Sequence, residues 1–428
     1  AKNEKFKISD NFQHERRAPY FATTLQQSLS DTIDFESAKE QELKIFTGID
    51  YELQECAEKA SEEWFQRRTN NNPSLKNKKT TLEQALVALE PHSGLVKAWV
   101  GGRDYSENQF DHVIQAKRQI GSTIKPFLYL TAMDKSLNTY KVATPISILS
   151  DEPTGITLVT NQTWTPENYD KKYRGDVTAR YALEHSLNIP AVYIAQRVGI
   201  PALVKTAERF RLSDHIPSVP ALALGALDTT LLKLTSAYGA IANQGIYVNP
   251  RLFKNVTDFE NNNLAKSELV EEKIVEEGPI YVLSDILRGV IERGTATVVR
   301  REGFTYPSAG KTGTSDHQRD AWFIGYTPNL VAGVWTGFDD NKQTGLTGAS
   351  ASAPVWGIFM KCASNFIEKE EFIPPNSVVN MALDADTLEL ASDNCPQDRI
   401  VHELFVKGTE PSVKCQEHNG SNSDFWPE

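Results

Sequence analysis

Lys311-Thr312-Gly313-Thr314 lies in an alternating, strand-like pattern, far downstream of Ser122-Thr123-Ile124-Lys125, a segment able to open a helix. A serine three residues before a lysine puts both side chains on one helical face, about one turn apart. A hydroxyl and an amine able to serve as its base are thereby brought together without a histidine. Lys311, with two threonine hydroxyls beside it, supplies what an anionic ligand needs. Alternation sends Lys311 and Gly313 to one face and Thr312 and Thr314 to the other, unless twist or an edge position reunites them. Gly313 lets a ligand approach the backbone closely. The two segments together predict serine acyl transfer on a substrate that ends in a carboxylate.

Working outward, Ser122 follows Gly121 and precedes Pro126-Phe127-Leu128-Tyr129-Leu130. Proline is tolerated in a first helical turn, and the apolar run reads as a buried helix. Ser122 is therefore placed where free N–H groups and the helix dipole favour developing negative charge. Taken alone, the segment also reads as an N-cap serine followed by a solvated lysine. Short patterns recur here: Ser-x-x-Lys appears again at Ser308/Lys311, and Ser-x-Asn starts at Ser9, Ser106, Ser136, Ser186 and Ser392. Context must choose among them. A phosphate-binding loop ending at Gly310-Lys311-Thr312 is excluded, because Thr305 stands where glycine is required and strands rather than a helix follow.

Around these motifs, 84–89 and 95–100 alternate on either side of the turn Pro91-His92-Ser93-Gly94, which predicts a hairpin. Strands are also predicted near 309–315, 320–326 and 330–337, with a largely helical middle between the two groups. Strands at both ends and helices between predict an α+β fold: one antiparallel sheet flanked by helices. Further upstream, Lys44 to Asp50 is strand-like and Glu52 to Arg68 amphipathic. Thr69-Asn70-Asn71-Asn72-Pro73-Ser74 marks a linker, and the main domain boundary is placed near 78.

At 428 residues, 40% hydrophobic and 24% charged, the chain is an ordinary globular one with room for one large domain and appendages, or two to three smaller ones. A net charge of −11 argues against a general nucleic-acid binder. No apolar run approaches the ~18 residues of a membrane span. The first residue is Ala1 rather than Met, as expected of a piece whose anchor has been removed. Of the cysteines Cys56, Cys362, Cys395 and Cys415, the last two lie in a polar tail. A disulfide between them would close a loop of about 20 residues and add roughly 3 kcal/mol. Such a bond would place the domain outside the cytoplasm. Free thiols, or a zinc site of Cys395, His402, Cys415 and His418, are the alternatives.

The three motifs, Ser122-x-x-Lys125, Ser186-Leu187-Asn188 and Lys311-Thr312-Gly313, occur in the order found in penicillin-binding proteins and class A β-lactamases. Their surroundings resemble the class A (bifunctional) penicillin-binding proteins: Gly121 to Phe127, Leu183 to Pro190, Gly294-Thr295-Ala296, Asp320 to Tyr326, and Trp164-Thr165-Pro166-Glu167-Asn168-Tyr169. Arg17-Ala18-Pro19-Tyr20-Phe21 resembles the junction after that class's glycosyltransferase domain, whose acidic motif is absent here. The resemblance implies a penicillin-binding/serine β-lactamase-like fold, with a five-stranded antiparallel sheet, flanking helices and a helical subdomain. It implies a stub at 1–45, a linker region at 46–78, a transpeptidase domain at 79–368, a small C-terminal extension at 369–418, and a disordered tail at 419–428.

It further implies D,D-transpeptidation of peptidoglycan stem peptides. Ser122 would be the nucleophile, Lys125 its base, and Ser186 a relay among Lys125, Lys311 and the leaving amine. Backbone N–H groups of Ser122 and Thr314 would receive the oxyanion. Lys311, Thr312 and Thr314 would hold the carboxylate beside Gly313, and Asn188 would bind a substrate amide. β-Lactams would acylate Ser122, and no metal or organic cofactor is called for. The intact protein would be membrane-anchored on the extracytoplasmic face, among cell-wall synthesis proteins. A carboxypeptidase, a β-lactamase using Glu167, and a non-catalytic β-lactam sensor are the competing readings.

Overall fold

The computed structural model describes residues 17–30, 43–71, 82–138, 143–157, 161, 163–393 and 395–415. Its centre is an antiparallel sheet of β1 (Leu82–Leu89), β2 (Val96–Val100), β3 (Ala309–Thr314), β4 (Asp320–Tyr326) and β5 (Val331–Phe338), in the order β3-β4-β5-β1-β2. The early hairpin joins the three late strands through β5, with Val331 opposite Leu89 and Phe338 opposite Leu82. The expected α+β class and five-stranded sheet are both observed. All of β1 and β4 is buried, as in a sheet covered on both faces rather than one.

The helices include α1 (Pro19–Ser30), α2 (Tyr51–Asn71), α3 (Lys125–Met133), α4 (Ala179–Glu184), α5 (Asn188–Val198), α6 (Leu231–Ala242), α7 (Glu277–Glu292) and α8 (Ser352–Ala363). Of these, α1, α2, α6, α7 and α8 pack on the sheet, while α3, α4 and α5 pack on one another, and α3 and α4 also on α7. On the face taken by the Ala332 side chain of β5 and by its cross-strand partner Gly325, the Trp356 ring of α8 lies 2.7 Å from where a Gly325 Cβ would be. Leu231 and Thr235 of α6 lie against Gly333, the next residue of β5. Successive strand residues face opposite ways, so α8 and α6 cover opposite faces of the sheet. Every residue of α3 is buried, which makes it the axis of the helical subdomain rather than a surface helix. Phe127 on it packs edge-on against Phe210 and Tyr238.

The segments expected as a stub and a linker region contribute to this core. On α1, Tyr20, Phe21, Leu25 and Leu29 are buried, and Tyr20 Oη donates to Asn108 O at 2.6 Å. On α2, Leu53, Ala57, Ala60 and Trp64 are buried. Cys56 of α2 is disulfide-bonded to Cys362 of α8, 306 residues away. No spacing rule relates these two cysteines, which only the packing of α2 on α8 brings together.

The C-terminal extension holds an antiparallel pair, β6 (Val378–Asp384) and β7 (Ile400–Val406). Arg180 of α4 grips it, donating to both carboxylate oxygens of Glu403 at 2.6 Å and to Asp285 of α7 at 2.6 Å. The expected Cys395–Cys415 disulfide is not formed: both are buried free thiols. Cys415 N–H donates to Leu390 O, and Ser392 Oγ donates to Cys415 O. This backbone pairing sets the two thiols within 4.8 Å of each other and of an Asp384 oxygen. For the zinc alternative, the nearest third group is Asp384. His402 is exposed on β7, and His418 and the 419–428 tail lie outside the described residues. Among the described residues no helix is long and apolar enough to cross a membrane.

Candidate active site

Ser122 sits half-buried in the 3-10 turn Gly121–Ile124 that leads directly into α3. Three backbones crowd around it. A Cβ on Gly121, whose φ is +52°, would lie 2.2 Å from Thr314 O. A Cβ on Gly225, φ +87°, would lie 1.9 Å from Gly121 O. Only glycine combines that backbone conformation with that closeness. Gly121 N–H donates to Gly225 O at 3.3 Å and Ile120 N–H to Leu227 O at 3.0 Å, while Tyr238 Oη donates to Thr123 O at 2.8 Å. The serine turn is thus held on one side by the 225–227 segment and on the other by β3. As the edge strand of the sheet, β3 has backbone groups free to face that turn.

Lys125, one turn after Ser122, is wholly buried. Its Nζ lies 2.6 Å from Ser186 O, 3.1 Å from Leu187 O, 2.7 Å from Asn188 Oδ1 and 3.4 Å from Ser186 Oγ. Lys311, also wholly buried, donates to the same Ser186 Oγ at 2.7 Å and to Thr312 O at 3.1 Å. Ser186 therefore bridges two lysines. It can do so because it follows the cap residue His185 of α4 with φ +58°, the left-handed position after a helix that reverses the chain and turns carbonyls toward Lys125. Burial drives the Lys125 amine well below its ordinary range; the charge of Lys311 pushes it further down, and Asp151 opposes both. Burial alone brings Lys311 to about 7. A neutral amine donates two hydrogens and keeps a lone pair. Lys125 in that state can accept a proton from the hydroxyl one turn away.

Thr312 and Thr314 face away from Lys311, as strand alternation requires. Thr312 Oγ1 lies 2.7 Å from Thr295 Oγ1, and Thr314 Oγ1 accepts from Gly348 N–H at 3.2 Å. Gly313 lies against Thr123 and Ile120 O, with no room for a Cβ. Lys125, Ser186, Asn188 and Lys311 thus form one hydrogen-bonded cluster, and the threonine hydroxyls are tied to a separate wall. Ser122 lies one turn before Lys125, with its carbonyl accepting the Lys125 N–H and its hydroxyl bonded to neither lysine among the described residues. Ser308, of the other Ser-x-x-Lys pattern, is buried and its hydroxyl has no partner. Glu167 is exposed, and it is its backbone carbonyl that meets the site, accepting from Asn188 Nδ2 at 2.7 Å.

The sequence reading assigned no role to Asp151, Asn168, Thr295 or Gly348. Thr295 and Asn168 stood inside segments noted for their resemblance, which is the signal that could have raised them. Asp151 and Gly348 carry no local signal.

Residues 84–361 match the family of the penicillin binding protein transpeptidase domain, and 374–420 match the C-terminal domain of penicillin-binding protein 1A. Penicillin-binding protein 1A of Aquifex aeolicus is 36% identical over 342 residues, covering 79% of this chain and 45% of that protein. The chain spans about half the length of the curated relatives it matches. Among solved structures, penicillin-binding protein 1A of Haemophilus influenzae superposes with a TM-score of 0.81 at 21% identity, covering 94% of this chain and 78% of that one. The PonA1 protein of Mycobacterium tuberculosis in complex with penicillin V gives 0.69 at 21% identity, covering 83% and 95%. At such identity the two structures speak for the fold alone, whereas the family match covers the sheet, the helical subdomain and all three motifs: the chain belongs to the penicillin-binding protein transpeptidase family.

Proposed function

We propose that this chain is a serine D,D-transpeptidase that cross-links peptidoglycan stem peptides through an acyl-enzyme on Ser122. The observation that carries the reading is the pair of buried lysines, both with depressed proton affinity, that share Ser186 beside the half-exposed Ser122. Ser122 Oγ attacks the carbonyl of the penultimate D-alanine and gives its proton to Lys125. Ser186 passes a proton to the departing amine, the peptide C–N bond breaks, and D-alanine leaves. The amine of a second stem peptide then attacks the ester, forming the cross-link and freeing Ser122.

Backbone N–H groups of Ser122 and Thr314 receive the oxyanion, each worth about 3 kcal/mol in such sites. The Thr312 and Thr314 hydroxyls on one face of the β3 edge hold the terminal carboxylate, Lys311 on the other face adds its positive charge, and Gly313 lets the Ser122 turn pack close against the strand. Asn188 meets the substrate amide. The family's penicillin binding supports β-lactams as acylating agents of the same serine. The reading takes 79–368 as the transpeptidase domain and 369–418 as its C-terminal extension. It places the intact protein on the extracytoplasmic face of the bacterial membrane, anchored there among cell-wall synthesis proteins.

Intact mass after incubation with a penicillin tests this. One adduct on the parent, absent from Ser122→Ala, is expected. No adduct on a folded parent would overturn the reading, and rapid loss of the adduct would point to a β-lactamase instead. Release of D-alanine without cross-linked product would point to a carboxypeptidase.

A further inference from the structure

Behind Lys125, on the side away from Ser122, lies a buried polar network that the proposed reaction leaves without a task. Asp151, wholly buried at the end of the strand Ile148–Asp151, accepts from Asn168 Nδ2 at 2.6 Å and from Arg174 N–H at 3.1 Å. Asn168 is also buried, and Nδ2 donates a second time, to Lys172 O at 2.8 Å. With its nitrogen so committed, its oxygen faces α5, where it accepts from Asn188 N–H at 2.8 Å and Ile189 N–H at 3.4 Å. The residue before α5, Leu187, offers no side-chain cap. Asn168 therefore satisfies, from another segment, two of the donors that a helix N-terminus leaves open.

The next residue along continues the chain of orientation. Glu167 O accepts from Asn188 Nδ2 at 2.7 Å, which turns Asn188 Oδ1 toward Lys125 Nζ, also at 2.7 Å. Each amide in the series has one assignment of oxygen and nitrogen that satisfies its partners, and the buried carboxylate of Asp151 sets the first. The same carboxylate is the negative charge felt by Lys125, against the positive charge of Lys311 across the cluster. Arg174, 3.6 Å from Asp151, partly offsets it.

We propose that Asn168 and Asp151 are positioning residues for the acyl transfer: Asn168 holds the first turn of α5 so that Asn188 meets Lys125, and Asp151 orients Asn168 from a buried, negatively charged position behind it. The inference rests on the transpeptidase reading above. A purely structural role would cost stability and leave the proton chemistry unchanged, so the pH profile is the deciding readout.

The second-order rate of penicillin acylation is measured against pH for the parent, Asn168→Ala and Asp151→Asn. In Asn168→Ala the rate falls roughly 10²-fold, as for about 1 Å of misplacement at a reacting group. In Asp151→Asn, which is nearly isosteric, loss of the negative charge lowers the proton affinity of Lys125. The acidic limb of the profile, which reports that pair as a unit, then moves to lower pH. Parental rate and parental limb in folded variants overturn the proposal. If Asn168→Ala does not fold, the limb of Asp151→Asn decides alone. A parent that forms no adduct on Ser122 overturns the transpeptidase reading, and this proposal with it.

Discussion

Two lysines with no carboxylate of their own, wholly buried and meeting on one serine hydroxyl, are an expensive arrangement unless at least one is neutral. That cost has a readable sign. Lys311 titrates near 10.5 when unfolded and about 7 in the fold, so between those values the unfolded chain binds more protons. Stability therefore rises with pH from about 7 to about 10.5. Denaturant melts across that window are expected to show the rise, and Lys311→Met is expected to flatten Lys311's share of it. Replacing the proposed base, as Lys125→Met, is expected to lower penicillin acylation roughly 10²–10⁴-fold. Stopped-flow acylation of the folded variant checks this. The type and order of these residues were legible in the sequence. The threonines' partners, Thr295 and Gly348, were not, because strand alternation tells which face a hydroxyl takes and not what it meets there.

At the scale of elements, the serine turn depends on two glycines packed backbone to backbone. Gly225→Ala puts a Cβ into Gly121 O at a φ of +87°. The variant is expected to lose penicillin acylation even where circular dichroism stays parental, since the displaced atoms are those of the Ser122 turn. The hairpin β6–β7 is tied to the site from behind: Arg180, on the helix that ends two residues before Ser186, is buried with Glu403. The Glu403 charge holds the guanidinium's proton tightly despite that burial. Glu403→Ala leaves Arg180 short of its main partner and is expected to cost about 3–5 kcal/mol, the range for breaking a buried pair. Urea titration measures it. Strands β3 to β5 and the hairpin β1–β2 followed from alternation and turn residues. The role of α2 did not. Its sequence is amphipathic, but which surface it covers is set by α8, three hundred residues on.

For the whole molecule, the Cys56–Cys362 bond joins α2 and α8 on the sheet face opposite α6. In the loop-entropy account, so long a closed loop is worth about 6 kcal/mol, and measured bonds give roughly 2–4. Cys56→Ser with Cys362→Ser is expected to lower the melting temperature while leaving the acylation rate within a factor of about two, because the bond touches no group of the site. The expectation of a bond at Cys395–Cys415 rested on chain proximity and tail composition. The structure pairs cysteines remote in sequence and leaves those two as adjoining thiols.

The sequence by itself picked out the candidate chemistry: Ser122, Lys125, Ser186, Asn188 and Lys311, the residues proposed for the reaction, stand in three short motifs that need only neighbours in the chain. It determined the sheet as well, because period-two patterning needs only neighbours in the chain. The tertiary structure alone decided which groups surround the lysines and so how far their proton affinity falls. It also decided that Asp151 and Asn168 stand behind Asn188, and that the C-terminal hairpin reaches the helix that precedes Ser186. Burial and the meeting of distant segments are properties of the packed chain, and no local pattern encodes them.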